Sequence, residues 1–544
     1  MSIFHGKSTR RILPRWRASI KTGKNSDFAA LKEPPRVSCN VEEELRQQAD
    51  DFAHSPLLGT AAEFLSTALL AGKTDTAAIA ASFILEHQDK APHALIQLAQ
   101  RATGNTEELN PVTSDEQIAK TRRLLRINPK NPVLWSDMAR HFAGLGDKRE
   151  ASRCMKTALH LAPDHRWILR TAARFLVHQD DPVAAHTLLA KHPRTKIDPW
   201  LMAAELACAQ VAGRAPKFWK QAGDILRWDR VSPVHISELA TAVAMMELES
   251  GERKKARKYV HKSLIAPTEN TLAQIFWAKE NRHLNDGFGL DELVKSANDA
   301  YEADFQVAVL GGDLLRALVA AQSWSTDEPF AARPCVEIAY IASLLDNHDL
   351  TIKMAHRVKQ LDGRSDPSLE LNAIFSTLSS GKLNKEGDWA ELEKIKINLL
   401  RTIEQKDVNT CHAVANLGLW HYRYGDALVG RELYQQAISN AQKTQRAELA
   451  TMAAIFAARE AILSSDPSAS AIFHQAQTLA GKTAHKTSDF YIRKLDELIL
   501  NPSKADEILS PSSAEKFLSV KKITGTFRVE QTKEGLVLWV PKKQ

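Results

Sequence analysis

Residues 132 to 163, PVLWSDMARHFAGLGDKREASRCMKTALHLAP, limit the possible folds more than any other part of this sequence. Their apolar side chains recur every three or four positions in two runs, and this spacing places each run on one face of an α-helix. Gly146 lies between the runs, where glycine accepts a positive φ at a helix end, and Pro163 stops the second run. The stretch therefore predicts two amphipathic helices joined by a tight turn.

The helix pair resembles the tetratricopeptide repeat (TPR), whose pattern runs W-x2-L-G-x2-Y, then A-x3-F, then P over a period of about 34 residues. The residues at those spacings are Trp135, Met138, Ala139, Phe142, Ala151, Met155, Ala158 and Pro163. The resemblance implies neighbouring repeats, because one repeat cannot bury its own apolar face. It implies a solenoid of helical hairpins whose first helices line a groove.

Looser copies of the unit are present on both sides of it. The clearest array covers residues 117–213, and a second good unit at residues 412–441 has Gly430 where the pattern has alanine and His421 where it has an aromatic residue. Alanine and leucine dominate the sequence, and β-branched clusters are scarce before residue 520. We therefore expect an all-α, TPR-like helical-hairpin solenoid over residues 41–500, a fold that can grow long because each repeat contacts only its neighbours.

The positive charge of the chain is concentrated at its N-terminus. The net charge is +7, and residues 1–40 contain nine of the 72 Lys and Arg residues but two of the 65 Asp and Glu residues. The rest of the chain is therefore neutral overall, and the solenoid body is not a basic surface for nucleic acid.

The N-terminal arm, residues 1–40, mixes cations with apolar anchors. Pro14 interrupts a helix, and Pro34-Pro35 marks a linker to the solenoid. Three interpretations stay open: a disordered tail, an Arg-rich targeting peptide, and a docking arm that binds an acidic partner, nucleic acid or an anionic membrane surface. The residues that would make the docking contact are Arg10, Arg11, Leu13, Arg15, Trp16 and Arg17.

A second group of aromatic and cationic residues departs from the repeat spacing at residues 214–235. There, Trp219 and Trp228 lie among four cations, Lys217, Lys220, Arg227 and Arg230. Such a mixture can stack on bases or hold a peptide, which makes both tryptophans candidate partner-binding residues. The alternative is an ordinary helix whose apolar face, beginning at Phe218, belongs to the core.

The C-terminal extension, residues 501–544, changes character from Lys521. Apolar and polar residues alternate there on both sides of Gly535, which can take the positive φ of a tight turn. We expect a short β-hairpin. Because an isolated hairpin is marginally stable in water, it would pack on the solenoid or add a strand to another chain's sheet.

The sequence shows no constellation of residues for catalysis. It contains no phosphate-binding loop, dinucleotide fingerprint, nucleophile elbow or paired-cysteine motif, and we expect no enzyme activity, cofactor or metal. The five scattered cysteines suit a reducing compartment. No apolar run approaches the roughly 20 residues of a membrane span, and the N-terminus lacks the apolar core of a signal peptide, so we expect a cytoplasmic protein.

These features favour a non-enzymatic protein–protein interaction scaffold or adaptor, whose solenoid groove binds a peptide or helix of a partner protein. The alternative is a nucleic-acid-associated accessory protein that uses the basic N-terminal arm. Salt separates the two, because phosphate binding weakens steeply as salt rises and binding in an apolar groove hardly responds.

Overall fold

Helices joined by tight turns follow one another along the chain. The computed structural model describes residues 13–18, 41–70, 73–91, 93–103, 114–227, 231–282, 284, 288–297, 299–362, 367–483, 486–518, 528–532 and 535–539. The chain divides into two units, residues 20–129 and residues 1–19 together with residues 130–544. The boundary at Pro129 lies inside the span expected to form one solenoid, and residues 13–18 of the arm belong with the second unit.

The first unit has its own apolar core. Its described helices are α1 (Val41–His54), α2 (Leu58–Leu70), α3 (Thr74–Glu86), α4 (His93–Ala102) and α5 (Ser114–Ile127). Phe52 of α1 packs on Phe64 of α2, with ring centroids 5.8 Å apart. Buried alanines on α2 and α3, such as Ala68 and Ala80, let these two helices approach closely.

The second unit is a long run of helices, most of them paired as hairpins. Its first half contains α6 (Pro132–Leu145), α7 (Lys148–Leu161), α8 (Arg166–His178), α9 (Pro182–Lys191), a 3-10 helix (Pro193–Lys196), α10 (Pro199–Val211), α11 (Trp219–Arg227), α12 (Pro233–Glu249), α13 (Arg253–Ser263), α14 (Glu269–Arg282) and α15 (Leu290–Ser296). The next part contains α16 (Tyr301–Gly311), α17 (Leu314–Asp327), α18 (Ala332–Leu344), α19 (His348–Asp362), α20 (Pro367–Ser379), α21 (Trp389–Glu404), α22 (Thr410–Tyr424), α23 (Ala427–Lys443), α24 (Ala447–Leu463) and α25 (Ala469–Thr483).

The hairpin α6–α7 shows how the local sequence sets the helix ends. The Asn131 side chain accepts hydrogen bonds from two backbone N–H groups in the first turn of α6. Gly146 ends α6 with a φ of 80°, a conformation that a side chain disfavours. Asp147 then caps α7 by accepting a hydrogen bond from the Glu150 backbone N–H. The hairpin predicted from residues 132–163 is confirmed.

The hairpin α22–α23 has an unusually close helix contact where the repeat pattern has alanine. A Cβ added to Gly430 would lie 2.9 Å from the Gly418 carbonyl oxygen and 2.9 Å from the Tyr422 backbone nitrogen. A Cβ on Gly418 would in turn lie 2.9 Å from the Tyr434 ring. The two glycines therefore permit a separation that a methyl group at either position would increase.

The apolar core continues from hairpin to hairpin through the second unit. One cluster of buried side chains extends from Met202 to Val307, and another from Phe305 to Phe517. This arrangement confirms the expected all-α repeat solenoid. No helix in the described ranges combines the length and the apolar character that crossing a membrane requires.

The second unit also curls back on itself, so that helices far apart in sequence touch. Arg140 of α6 donates hydrogen bonds to the carbonyl oxygens of Thr326 and Asp327 at the end of α17. Arg357 of α19 donates to the carbonyl oxygen of Gly144 at the end of α6. These contacts bring α6 beside the turn between α17 and α18.

One further long helix and several short elements complete the described part of the chain. They are α26 (Lys486–Leu500), a 3-10 helix (Pro502–Lys504), α27 (Ala505–Ile508), a 3-10 helix (Pro511–Ser513), α28 (Ala514–Leu518), β1 (Arg528–Thr532) and β2 (Gly535–Trp539). Phe490, Tyr491 and Phe517 are buried in the last apolar cluster. The two strands pair in antiparallel register, with Thr532 opposite Gly535. Packing of this strand pair on the solenoid or in another chain stays a prediction.

Candidate functional site

Residues 13–18, LPRWRA, lie without regular secondary structure inside the second unit. Trp16 is 0% exposed. Its ring contacts Phe175 of α8 edge to face at 5.6 Å between centroids, and contacts Phe330, which follows α17, at 4.8 Å. Leu13 packs on the apolar cluster shared by α8, α9 and α10. The arm thus inserts an aromatic anchor between parts of the solenoid that are far apart in sequence.

Five carboxylates surround the two arginines that flank Trp16. We call them the acidic cradle, and they are Glu269, Asp299, Glu302, Asp327 and Glu328. Arg15 pairs with Glu302 and, at 3.0 Å, with Glu328. Arg17 donates from Nε to Asp327 Oδ2 at 2.7 Å, and its terminal nitrogens lie 3.4 Å from Asp299 and 3.6 Å from Glu269.

The cradle stabilises the charge on both arginines. Burial opposes that charge, but the carboxylates of Glu328 and Glu302 outweigh it, so that the pKa of Arg15 is raised above its ordinary value. The same balance, with Glu269 and Asp327 as the main anions, raises the pKa of Arg17. Burial in turn raises the pKa of the Glu269 carboxyl group, although Arg17 opposes that change.

Several carboxylates of the cradle are also held by side chains of the solenoid itself. Trp324 of α17 donates its indole N–H to Glu328 at 3.0 Å, and Arg333 of α18 donates to Glu302 at 2.8 Å. The Tyr301 hydroxyl donates to Asp299 at 2.8 Å. These contacts orient three of the five carboxylates independently of the arm.

A second surface lies in the other half of the solenoid, where α18, α20, α22 and α24 are successive first helices. We call it the groove, and its main lining residues are Tyr340, Asn372, Phe375, His412, Asn416, Met452 and Phe456. It encloses a cavity of about 90 Å³. Phe375 and Phe456 contact each other at 4.9 Å between ring centroids. Burial, assisted by Arg446, lowers the pKa of His412 to about 4, so that this imidazole is neutral near pH 7.

A third region is a polar cleft of about 640 Å³ above a group of buried ion pairs. Glu460 accepts hydrogen bonds from Arg423 at 2.7 Å and from Arg459 at 2.8 Å, and Asp346 accepts one from Lys494 at 2.6 Å. Burial opposes the charge on Glu460, but Arg423 and Arg459 outweigh it and lower its pKa. A carboxylate held in this way is a poor proton acceptor, so the cleft has the character of a structural ion-pair network.

The residues proposed from the sequence as partner contacts do not form one surface. Leu13, Arg15, Trp16 and Arg17 are brought together and contact their own solenoid. Trp219 is half-buried on α11 and packs on the apolar cluster of residues 202–307. The remaining candidates, Arg10, Arg11 and Trp228, lie outside the described residues. Binding of a partner by any of these residues stays a prediction.

The cradle and the aromatic slot around Trp16 are not predictable from the local sequence. Their residues come from α8, α14, the start of α16 with the turn before it, and the end of α17 with the turn after it, and no periodicity connects these positions. One signal was available: residues 299–313 contain four acids, Asp299, Glu302, Asp304 and Asp313, and no lysine or arginine. A local excess of acid in a neutral body could have been matched to the basic arm.

No family model matches the sequence, and no curated protein matches it. The solved structures that resemble the chain include the crystal structure of the yeast Tom70, which is 13% identical in sequence and gives a TM-score of 0.26. The alignment covers 85% of this chain and 99% of that chain. The similar structures also include a circular tandem repeat protein with novel repeat topology and enhanced subunit contact surfaces, 13% identical at a TM-score of 0.15, with 88% of this chain and 96% of that chain covered.

Proposed function

We propose that this chain is a non-enzymatic protein–protein interaction scaffold or adaptor that binds a partner peptide or helix in the groove. The observation that carries the proposal is the row of half-buried aromatic, methionine and amide side chains on four successive first helices. A folded chain gains little by leaving such a row uncovered, and a contiguous apolar surface rimmed by polar groups is typical of a binding site.

The chemistry of the groove suits a polypeptide ligand. Phe375 and Phe456 offer aromatic surface, and Met452 can adapt its shape to different partners. The Asn372 side-chain nitrogen is buried and has no hydrogen-bond partner among the described residues, so it can donate to a backbone carbonyl group of a ligand. The cavity of about 90 Å³ accepts an anchoring side chain and is well below the roughly 300 Å³ of a typical small-molecule pocket.

A catalytic role is not part of the proposal. Within the described ranges, no group of three or more His, Cys, Asp or Glu residues could hold a metal ion. The two buried acids of the polar cleft, Glu460 and Asp346, are paired with arginine or lysine. The cytoplasmic location expected from the sequence stays part of the proposal.

A nucleic-acid function of the arm receives no support from the described residues. Arg15 and Arg17 already neutralise carboxylates of the cradle, and a phosphate group would have to replace those carboxylates. The electrostatic attraction that drives phosphate binding needs cations that are free to release counterions. We therefore do not propose this alternative.

Peptides selected from a random display library on the wild-type protein would test the proposal. Their affinity should fall more than about tenfold for Met452→Glu, which places a charge in the groove, and for Asn372→Asp, which replaces the free donor with an acceptor. Leu428→Glu is the matched control, because Leu428 is an exposed residue of the second helix α23 and does not line the groove. Circular dichroism would show that all three variants stay folded, and equal binding to all of them would contradict the proposal.

A further inference from the structure

We infer that the acidic cradle is a recognition site for a partner-protein segment with the order arginine–aromatic–arginine, and that residues 15–17 occupy it as an internal competitor. The five carboxylates of the cradle lie outside the four helices that line the groove, so this inference does not depend on the function proposed above. It assigns to the N-terminal arm the role of a tethered ligand that a partner displaces.

The way in which the segment is held allows another segment to replace it. Arg15, Trp16 and Arg17 bind through their side chains, and no backbone hydrogen bond joins residues 13–18 to another described residue. A strand or helix of the fold would be built into the ladder of backbone hydrogen bonds. A segment recognised by side chains alone can be exchanged for another segment with the same side chains.

The solenoid itself organises the receptor half of the site. Trp324, Tyr301 and Arg333 each hold one carboxylate of the cradle in position. Phe330, one wall of the aromatic slot, packs against His178 at 5.2 Å and lies under the Arg174 guanidinium at 5.0 Å. A site that is ordered before the ligand arrives loses less entropy on binding.

The charge of the cradle is complementary to that of the arm segment. Three arginines of the solenoid, Arg140, Arg174 and Arg333, face the five carboxylates of the cradle. Arg333 is shared with Glu337 outside the cradle. These cations therefore do not neutralise the five carboxylates, and Arg15 and Arg17 supply two further positive charges. A ligand without that pair of cations would leave buried carboxylates uncompensated, which is costly.

The slot for Trp16 selects an aromatic ring without reading its polar group. The indole nitrogen of Trp16 is buried and has no hydrogen-bond partner among the described residues. Phenylalanine can fill the same slot without burying that unpaired donor, whereas alanine would leave it empty. The expected motif is therefore arginine, any large aromatic residue, arginine.

A labelled peptide of residues 9–22 of this chain is a defined probe of the site. In the full chain, Arg15→Ala, Trp16→Ala and Arg17→Ala together would vacate the cradle; we call this protein the arm variant. Fluorescence anisotropy should show that the peptide binds the arm variant at least about tenfold more tightly than it binds the wild type, because the wild-type arm competes. A peptide with phenylalanine in place of its tryptophan should bind almost as well, and one with alanine there should not.

Two further substitutions in the arm variant test whether the cradle is the site. Asp327→Asn with Glu328→Gln should weaken peptide binding at least about tenfold, because each removes a charge-assisted contact. Glu391→Gln with Glu404→Gln is the matched control, since it changes the net charge equally at two exposed positions. Equal losses in both proteins would show that only the overall charge matters and would overturn the inference.

Other results would also overturn it. If the arm variant folds but does not bind the peptide, residues 13–18 have a purely structural role. If the wild type binds the peptide as tightly as the arm variant does, the peptide binds outside the cradle. A wild-type dimer in light scattering that becomes monomeric in the arm variant would make the occupant a second copy of this chain. If the arm variant does not fold, a protease site can be inserted within residues 22–38 of the wild-type chain, and cleavage there separates the arm from the rest of the protein. Excess peptide should then release the cleaved arm. An arm that stays bound would equally refute the inference.

Discussion

Replacing Lys494 with methionine should destabilise the C-terminal part of the solenoid far more than the same change at Lys516. Both lysines make short ion pairs, Lys494 with Asp346 at 2.6 Å and Lys516 with Glu497 at 2.5 Å. The side chains of the first pair are 0% and 1% exposed, whereas those of the second are 60% and 30% exposed. Burial, and not distance, should therefore decide the cost.

The magnitude follows from what each variant leaves behind. Without Lys494, the cation left beside Asp346 among the described residues is the Arg459 guanidinium, 3.5 Å away, and Arg459 is shared with Glu460. Asp346 has a φ of 56° in the turn between α18 and α19, so that its backbone conformation is tied to that turn. Removing one partner of a buried ion pair costs about 3–5 kcal/mol. Loss of the exposed pair at Lys516 should cost about 0–1 kcal/mol.

Native-state hydrogen exchange of α26 and the neighbouring helices measures both costs locally, which suits a repeat protein whose parts can unfold separately. Adding Asp346→Asn to Lys494→Met should recover part of the loss, because the second change removes the stranded charge. A loss below about 1 kcal/mol for Lys494→Met, or one equal to that of Lys516→Met, would refute the reasoning.

Three further predictions concern stability. Phe142→Ala should lower the free energy of unfolding by about 3–5 kcal/mol, because Phe142 is buried on α6. Urea unfolding measures this change, and a value below about 0.5 kcal/mol would contradict the repeat register. Gly430→Ala should lower the free energy of unfolding by about 1–3 kcal/mol, since the added Cβ would press against the backbone of α22. An unchanged midpoint of urea unfolding would argue against that close contact. Acidification from pH 6.5 to 4 should destabilise the fold. Burial lowers the pKa of His178 and His412 to about 4, so that in this pH range the unfolded chain binds more protons than the folded chain. Asparagine at both positions should reduce this pH dependence of the free energy of unfolding.

The helical hairpins could be read from the sequence because their signals are local. Met155 and Phe142 fall on the predicted apolar faces and are buried, and Gly146 has the positive φ expected of a helix end. Gly430 was noticed as a departure from the repeat pattern, but its consequence depends on a neighbouring helix. Only the packed structure shows that Gly418 faces it and that the two helices meet there.

The contacts of the arm could not be predicted from the sequence. Leu13 and Trp16 stood out because apolar anchors among arginines are unusual in a solvated tail, yet three interpretations of the arm remained open. The carboxylates that hold Arg15 and Arg17 extend from Glu269 to Glu328, and the aromatic slot joins residues more than 150 positions apart, Phe175 and Phe330. No local pattern predicts which of many acids and aromatic residues would meet the arm.

By itself, the sequence determined the all-α class, the helix pairs with their ends, and the concentration of positive charge in the arm. Each of these depends on residues within one or two helical turns, or on composition alone. The tertiary structure decided that residues 13–18 enter the second unit, which carboxylates they neutralise, and which first helices form the groove. Those contacts depend on the curl of the solenoid, and that curl accumulates small rotations between successive hairpins, so it is a property of the whole stack and of no single segment.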